Sequence, residues 1–157
     1  MDFKEKIVKY SGYGFTYGQM EALDKLSTWY NTPKDHVFTL SGRAGTGKTY
    51  ILKYFIDKIV SNPICVSAPT HKALRNVEIH TNKKGKTLQS LHGLRPNVNL
   101  EDFNLNNVKF DQLGTPTMNN YKIIVIDECS MINQILFDLT VRRAQDLNVK
   151  ILFVGKI

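Results

Sequence analysis

The segment Gly42-Arg43-Ala44-Gly45-Thr46-Gly47-Lys48-Thr49 constrains this chain most, because it follows the pattern G-x-x-x-x-G-K-[ST] between two apolar runs of different period. Ahead of it, Val37-Phe38-Thr39-Leu40-Ser41 reads as a short buried strand. Behind it, Ile51, Leu52, Phe55, Ile56, Ile59 and Val60 recur on one helical face, with Lys53, Asp57 and Lys58 opposite. Glycines at such a turn let the backbone curl until successive amides point at phosphate oxygens. The helix that starts there adds the positive end of its dipole. Lys48 then brings a point charge to the β and γ phosphates of a nucleotide, and Thr49 offers a hydroxyl to Mg²⁺. Strand and amphipathic helix flank the segment in the required order, which favours a phosphate cradle over a glycine-rich turn that merely caps a helix.

A phosphate cradle of this kind needs an acidic partner at the end of another strand. Ile123-Ile124-Val125-Ile126-Asp127-Glu128 supplies it. Asp127 is placed to hold Mg²⁺, directly or through water, and Glu128 to orient and deprotonate the attacking water. Acids are also favourable near any helix N-terminus, which is the plain alternative. The pair argues for hydrolysis, since binding alone does not require the glutamate. The expected catalytic residues are Lys48 and Glu128, and the expected metal ligands Thr49 and Asp127.

The rest of the chain alternates strand and helix. Ile64-Cys65-Val66 makes a second strand after Pro63, Lys122–Ile126 a third, and Ile151-Leu152-Phe153-Val154 a last one. The unbroken run Ile123–Ile126 needs cover on both faces, as in a parallel sheet with helices on each side. Met131, Ile132, Ile135, Leu136 and Leu139 have helical spacing after it. This order predicts an α/β fold with right-handed crossovers. Two stretches break the rhythm: residues 1–15, a tyrosine-bearing lead-in, and residues 95–120, an irregular excursion with room for a short hairpin.

Composition narrows the class. At 157 residues, 42% apolar and 22% charged, the chain has the make-up of one globular domain rather than a disordered segment. Its net charge of +7 fits a polyanionic partner. Between His71 and Arg95, six basic residues (Lys72, Arg75, Lys83, Lys84, Lys86, Arg95) face one acid, Glu78, so five of the seven net charges fall there. That stretch is either a nucleic-acid face or a solvated basic surface. Cys65 and Cys129 lie in or beside apolar runs and read as buried reduced thiols rather than a disulfide framework. No Cys or His spacing suggests a structural metal. The charged N-terminus lacks a signal-peptide core, and the apolar runs are too short to span a membrane. The expectation is a soluble intracellular (cytoplasmic) protein with no membrane partner.

The loop Gly-x-Ala-Gly-Thr-Gly-Lys-Thr, with Asp127-Glu128 at the second site, resembles that of superfamily-1 DNA helicases of the RecD and phage Dda type. Three more segments follow in the family's order. Phe15-Thr16-Tyr17-Gly18-Gln19-Met20-Glu21-Ala22 is similar to the lead-in whose glutamine reads the adenine, which assigns that role to Gln19. Thr16 and Gln19 also have capping-box spacing, and both roles can hold at once. Ala68-Pro69-Thr70-His71-Lys72-Ala73-Leu74 is similar to the family's first single-strand-binding motif. It implies DNA contacts from Pro69, Thr70, His71 and Lys72, whose helix N-terminus suits phosphate and sugar contacts. The alternative there is a strand-to-helix turn with Thr70 as N-cap. Thr87-Leu88-Gln89-Ser90-Leu91-His92-Gly93 looks like the family's Thr-Ile-His-Ser segment, which implies DNA contacts from Thr87 and Ser90. Gln89 stands where the family usually has histidine, and it can neither carry charge nor stack as an imidazole does.

The resemblance runs from residue 15 to 155 and implies a P-loop NTPase of RecA-like fold, a helicase motor domain (1A) over 15–157 behind a lead-in of 1–14. It implies ATP and Mg²⁺ as cofactors and single-stranded DNA as partner. The implied nucleotide contacts come from Gln19 and from Gly42, Arg43, Ala44, Gly45, Thr46, Gly47, Lys48, Thr49 and Tyr50. The family continues from its fourth strand with Gly-Asp-x-x-Gln, whereas here Gly155-Lys156-Ile157 follows, so the second motor domain with its arginine finger is expected to be missing. The missing C-terminal domain or a replication or recombination protein is an expected partner. The competing readings are a P-loop ATPase of another class, such as a DNA-transfer or packaging motor, and a shortened remnant that binds nucleotide or DNA without turnover.

Overall fold

Short unbroken apolar runs, which must be covered on both faces, become the middle of a parallel sheet. In the computed structural model, which describes Glu5, Tyr10 and residues 12–42, 47–94 and 115–155, that sheet has five strands. The elements are α1 (Tyr17–Tyr30), β1 (Val37–Ser41), α2 (Lys48–Tyr54), β2 (Ile64–Ala68), α3 (His71–Thr81), β3 (Gly85–Thr87), α4 (Leu88–Leu91), β4 (Ile123–Ile126), α5 (Gln134–Leu147) and β5 (Lys150–Gly155). Helix α2 runs on as a π-helical turn over Phe55–Ile59, and short 3₁₀ turns cover Met118–Asn120 and Cys129–Met131. The sheet order is β1-β5-β4-β2-β3, with every pairing parallel.

Side-chain alternation divides the interior into two cores. Ile123 and Val125 of β4, Leu152 and Val154 of β5, and Val66 and Ala68 of β2 pack with Leu23, Leu26 and Trp29 of α1, Ile51 and Leu52 of α2, and Leu74 and Val77 of α3. The intervening Ile124, Ile126, Ile151, Phe153 and Cys65 pack on the other face with Leu88 and Leu91 of α4 and Leu136 and Leu139 of α5. Each such side chain, once fully buried, contributes about 1.5–3 kcal/mol relative to exposure. This explains why the middle strands are apolar at every position.

The helices begin where side chains satisfy their first amides. Thr16 and Gln19 form a capping box on α1, while Thr70, Thr87 and Asn133 cap α3, α4 and α5. Helices α3 and α5 end at Asn82 and Asn148, both left-handed at φ 54°. Lys150 at the start of β5 donates to the carbonyls of Trp29, Thr32 and Asp35 at 2.9, 2.8 and 2.6 Å, which ties the end of α1 to the sheet.

Several expectations change. Strand β3 carries no apolar residue and gives no periodic signal; it is made by pairing with β2, so closely that a Cβ on Gly85 would run into the Val66 carbonyl. Met131 is 58% exposed and sits in a 3₁₀ turn, because Asn133 caps α5 and starts the helix only after it. Cys129 is half-buried rather than buried, although Cys65 is fully inside, and both thiols are free. Ile59 and Val60 are only partly buried, since the π turn shifts the helical face after Phe55. The lead-in joins the first core: Tyr10 is buried, meets Phe15 and Tyr54 edge-on at 5.9 and 5.8 Å, and donates to Asp24 at 2.8 Å. The hairpin expected within 95–120 falls largely outside the described residues; of its end, Met118 is buried in the second core. Among the described residues no helix is long and apolar enough to cross a membrane.

Candidate functional site

Parallel pairing puts the C-terminal ends of the strands at one edge, and the sequence-marked residues gather there. Ser41 is level with Gly155, and the Gly42 amide donates to the Gly155 carbonyl at 3.3 Å. One strand further on, the Asp127 amide donates to the Ser67 carbonyl at 2.9 Å. The start of the phosphate loop and the acidic turn are thereby held on either side of the end of β5.

Gly47 caps α2 in the left-handed region at φ 80°, and a Cβ there would collide with the Gln19 side-chain amide. The left-handed backbone favours glycine at this position, and a larger residue would also push the Gln19 side chain away. Lys48 follows, with Nζ donating to the Gly42 carbonyl at 2.7 Å, and Thr49 is exposed at the helix start. Arg43, Ala44, Gly45 and Thr46 lie outside the described residues. On the facing side Glu128 is itself left-handed, at φ 54° and ψ 43°, with its amide donating to Asp127 Oδ1 at 2.9 Å. A side chain with a Cβ pays about 1 kcal/mol or more for that conformation. Burial pushes the Asp127 carboxyl up from the usual carboxylate range and the Glu128 charge adds to this, while the Glu128 amide, Lys48 and His80 act against it.

Lys48, Thr49, Asp127 and Glu128 line one open cleft of about 450 Å³, together with Gly47 and Gly155. Its remaining wall comes from Leu52, Val154 and, on α3, Val77 and His80. Gln19 sits beside it: Oε1 accepts from the Thr16 amide at 2.9 Å, while the amide end lies against Gly47. Tyr50 is 47% exposed, stacks at a tilt on Phe15 with centroids 4.9 Å apart, and donates to the Tyr13 carbonyl.

The two basic-region segments meet at the same edge. The register Ala68↔Thr87 sets Pro69–Lys72 beside Thr87–Ser90. Thr70 accepts from the Ala73 amide at 3.1 Å and Thr87 from the Ser90 amide at 3.3 Å, so both are helix caps. Thr70, His71, Lys72 and Ser90 are exposed, and Pro69 and Thr87 half-buried. Behind the second segment His92 is buried, its Nε2 2.8 Å from Thr140 Oγ1 and its Nδ1 2.9 Å from the Arg143 guanidinium. Arg143 can only donate and Thr140 donates to the Leu136 carbonyl at 2.8 Å, so Nε2 carries the ring proton. Burial, with the Arg143 charge, pushes the His92 pKa down to about 3.

The model of the AAA domain family (AAA_19) matches residues 28–157. The chain belongs to this family. Over 127 residues, 79% of the chain and 28% of the relative, the AAA domain is 32% identical to the ATP-dependent DNA helicase dda of Enterobacteria phage T4. It superposes with TM-score 0.61 on a crystal structure of Bacteroides sp Pif1 in complex with ADP-AlF4, at 26% identity over 87% of this chain and 31% of that one. A structure of two coordinating Pif1 helicases on forked dsDNA has the same fold, with TM-score 0.59, 24% identity and coverage of 90% and 33%. The AAA domain therefore has the RecA-like fold of the superfamily-1 Dda and Pif1 type. It spans about a third of the length of the relatives it matches.

The acid pair, Gly47–Thr49 and both neighbouring segments marked in the sequence lie at this one edge of the AAA domain. Val77 and His80 carry no sequence signal, because their approach to the cleft depends on how α3 packs against α2. Lys156 lies outside the described residues.

Proposed function

We propose that this chain is the ATP-hydrolysing motor domain (1A) of a DNA helicase or single-strand DNA translocase, covering residues 15–157 behind a lead-in of 1–14. The observation that carries the proposal is the convergence of Lys48, Thr49, Asp127 and Glu128 on one cleft at the C-terminal edge of a parallel sheet. The Gly42–Thr49 loop and the Asp127-Glu128 turn then act as the Walker A and Walker B motifs. Arg43, Ala44, Gly45, Thr46 and Gly47 offer backbone amides to phosphates, and Lys48 leaves the Gly42 carbonyl for the β and γ oxygens. Glu128, aimed by its left-handed backbone, holds the attacking water and takes its proton. Gln19, with Oε1 pinned in the capping box, presents its amide end to the base, and Tyr50 flanks that side.

The donors fit Mg²⁺ bound with nucleotide. Among the described residues no three His, Cys, Asp or Glu side chains cluster as a cage for a metal. The Thr49 hydroxyl and the Asp127 carboxylate are hard oxygen donors of the kind Mg²⁺ takes in ones and twos, with water and phosphate completing the shell. When bound, the ion neutralises charge developing between the β and γ phosphates.

Pro69, Thr70, His71, Lys72, Thr87 and Ser90 track the backbone of a single strand laid across the ends of β2 and β3, with little base preference. The motor works inside the cell, as a phage or virus replication or recombination enzyme would. The cleft is open, and in a motor of this kind a second domain would bring to it an arginine worth about 10³–10⁵ in rate. A polypeptide of these 157 residues alone accordingly turns ATP over slowly and does not unwind duplex.

Fluorescence anisotropy with a labelled single-stranded oligonucleotide tests the reading. Binding should fall steeply as salt rises, and Lys72→Ala should reduce that slope by about one. Salt-independent binding, or none in low salt, would contradict the DNA half of the proposal. A P-loop ATPase of another class would bind nucleotide in the same cleft without that strand affinity.

A further inference from the structure

We infer that a basic recess at the N-terminal edge of the sheet, between Lys34, Lys122 and Lys150, is a second phosphate-binding site, separate from the nucleotide cleft and independent of how that cleft is assigned.

The two sites lie at opposite ends of the same strands. Gly155 at the end of β5 lines the cleft, whereas Lys150 at its start lines a recess of about 280 Å³. At about 3.3 Å per residue the length of β5 separates them by about 16 Å. Parallel strands bring their beginnings together as surely as their ends, so residues distant in sequence meet here. Lys34 and His36 come from the connection between α1 and β1, Lys122 from just ahead of β4, and Asn148 from the left-handed end of α5. The lining side chains include three ammonium groups and no carboxylate.

Hydrogen-bond bookkeeping gives the chemistry of the missing occupant. The Tyr30 oxygen accepts from the Ser61 amide at 3.1 Å and from Asn62 Nδ2 at 2.8 Å, so its own hydrogen is left for another acceptor. His36 Nε2 donates to Asn148 Oδ1 at 2.9 Å, which leaves Asn148 Nδ2 as a donor. Lys150 already gives its hydrogens to three carbonyls and contributes charge rather than contact. Burial lowers the Lys150 pKa, while the nearby Asp35 and Tyr30 act the other way. Lys34 and Lys122 are exposed, and among the described residues neither ammonium has a partner. The acceptors that remain, Asn62 Oδ1 and Nδ1 of neutral His36, carry no charge. A compact anion with several acceptor oxygens satisfies this set, and lysines bind phosphate as point charges from more than one side.

Lysines at such an edge often do no more than answer the negative ends of helices. That role is filled without Lys34 and Lys122. The last carbonyls of α1 receive the Asn31 and Thr32 side chains and Lys150, and those of α5 the amides of Asn148 and Val149. Lys34 is moreover held left-handed at φ 65°, a strained conformation for a residue with a Cβ.

The experiment is a titration of the ¹⁵N-labelled chain with sodium pyrophosphate at fixed ionic strength, read amide by amide in NMR spectra, so that each site reports for itself. Saturable shifts should appear at Lys34, His36, Lys122 and Asn148, apart from any at Gly47–Thr49, with an affinity of about 1 mM or tighter. The double variant Lys34→Gln, Lys122→Gln should weaken the first group of responses by about tenfold or more, leave the second unchanged, and melt near the wild-type temperature. Should the double variant not fold, Lys122→Gln alone should weaken the first group by about threefold. A short oligo-dT strand that moves the same amides would assign the phosphate to a nucleic-acid backbone, and one that leaves them still would assign it to a soluble phosphate compound. No response at this edge, or an equal response in the variants, overturns the second site and leaves the cleft standing. Loss of the response at Gly47–Thr49 alone would count against the cleft and not against this recess.

Discussion

The proposed nucleotide cleft and the segments proposed to face a DNA strand sit on one edge of one sheet, yet their residues relate to stability in opposite ways. In the cleft, Glu128 is held left-handed and Asp127 is buried enough to raise its carboxyl pKa. Both are costs that the surrounding parallel strands offset. In the strand-facing segments, Thr70 and Thr87 each satisfy the first amides of a helix, so the hydroxyls that would meet DNA already hold the fold together. Side chains of the first kind can be replaced with gain of stability and loss of function, whereas those of the second kind carry both at once.

The sharpest way to break this contrast is at Glu128. Glu128→Gln should keep nucleotide binding and lower whatever turnover is present by about 10²-fold or more, the usual worth of a general base. Glu128→Gly should lose turnover to the same degree while raising stability by about 1 kcal/mol, because glycine adopts the left-handed region freely. A chemical-denaturation midpoint that falls in Glu128→Gly would remove the claim of strain.

Behind the strand-facing side, His92 should govern the acid limb of stability. Its pKa in the folded protein, about 3, is below the ordinary value of 6.5, so the unfolded chain takes the proton first. Its contribution is complete above pH 6.5 and is lost as pH falls towards 3, at about 1.4 kcal/mol for each pH unit inside that window. His92→Leu should be less stable at neutral pH, having stranded Thr140 and Arg143, but should show a flatter decline from pH 6 to pH 4 in urea midpoints. An equally steep decline in the variant would assign the acid sensitivity elsewhere.

The smaller effects lie at the caps. Thr70→Ala should cost about 1 kcal/mol of stability, and Thr87→Ala a similar amount. Thr70→Asp keeps a good cap and sets a negative charge against the phosphate backbone, so its melting temperature should hold while oligonucleotide affinity drops severalfold. Unchanged DNA affinity in Thr70→Asp would leave Thr70 as a cap alone.

What the sequence revealed follows the same division. The glycine loop, the acid pair and the strands read at Val37–Ser41, Ile64–Val66, Lys122–Ile126 and Ile151–Val154 were legible to within a residue or two of their ends, because their signals are local: glycine spacing, short apolar runs, and an acid where such a run stops. The three-residue strand Gly85–Thr87 was not, since a polar triplet becomes a strand only when β2 supplies the partner. Met131 had helical spacing but was misplaced, because the cap at Asn133 decides where α5 begins. The π turn at Phe55–Ile59 leaves no mark in the residues. His80 could not be distinguished from any solvent-facing helical residue until α3 was seen packed beside α2.

The central claim is that Gly42–Thr49 and Asp127-Glu128 form one Mg·nucleotide site, and calorimetry of Mg·ADP and a non-hydrolysable ATP analogue tests it most directly. The wild-type chain should bind both with a requirement for Mg²⁺, and Lys48→Ala should reduce affinity by about 10²-fold or more, as expected for the loss of a charge on phosphate in a partly buried site. Equal affinity in the wild type and Lys48→Ala would contradict the site, and with it the motor.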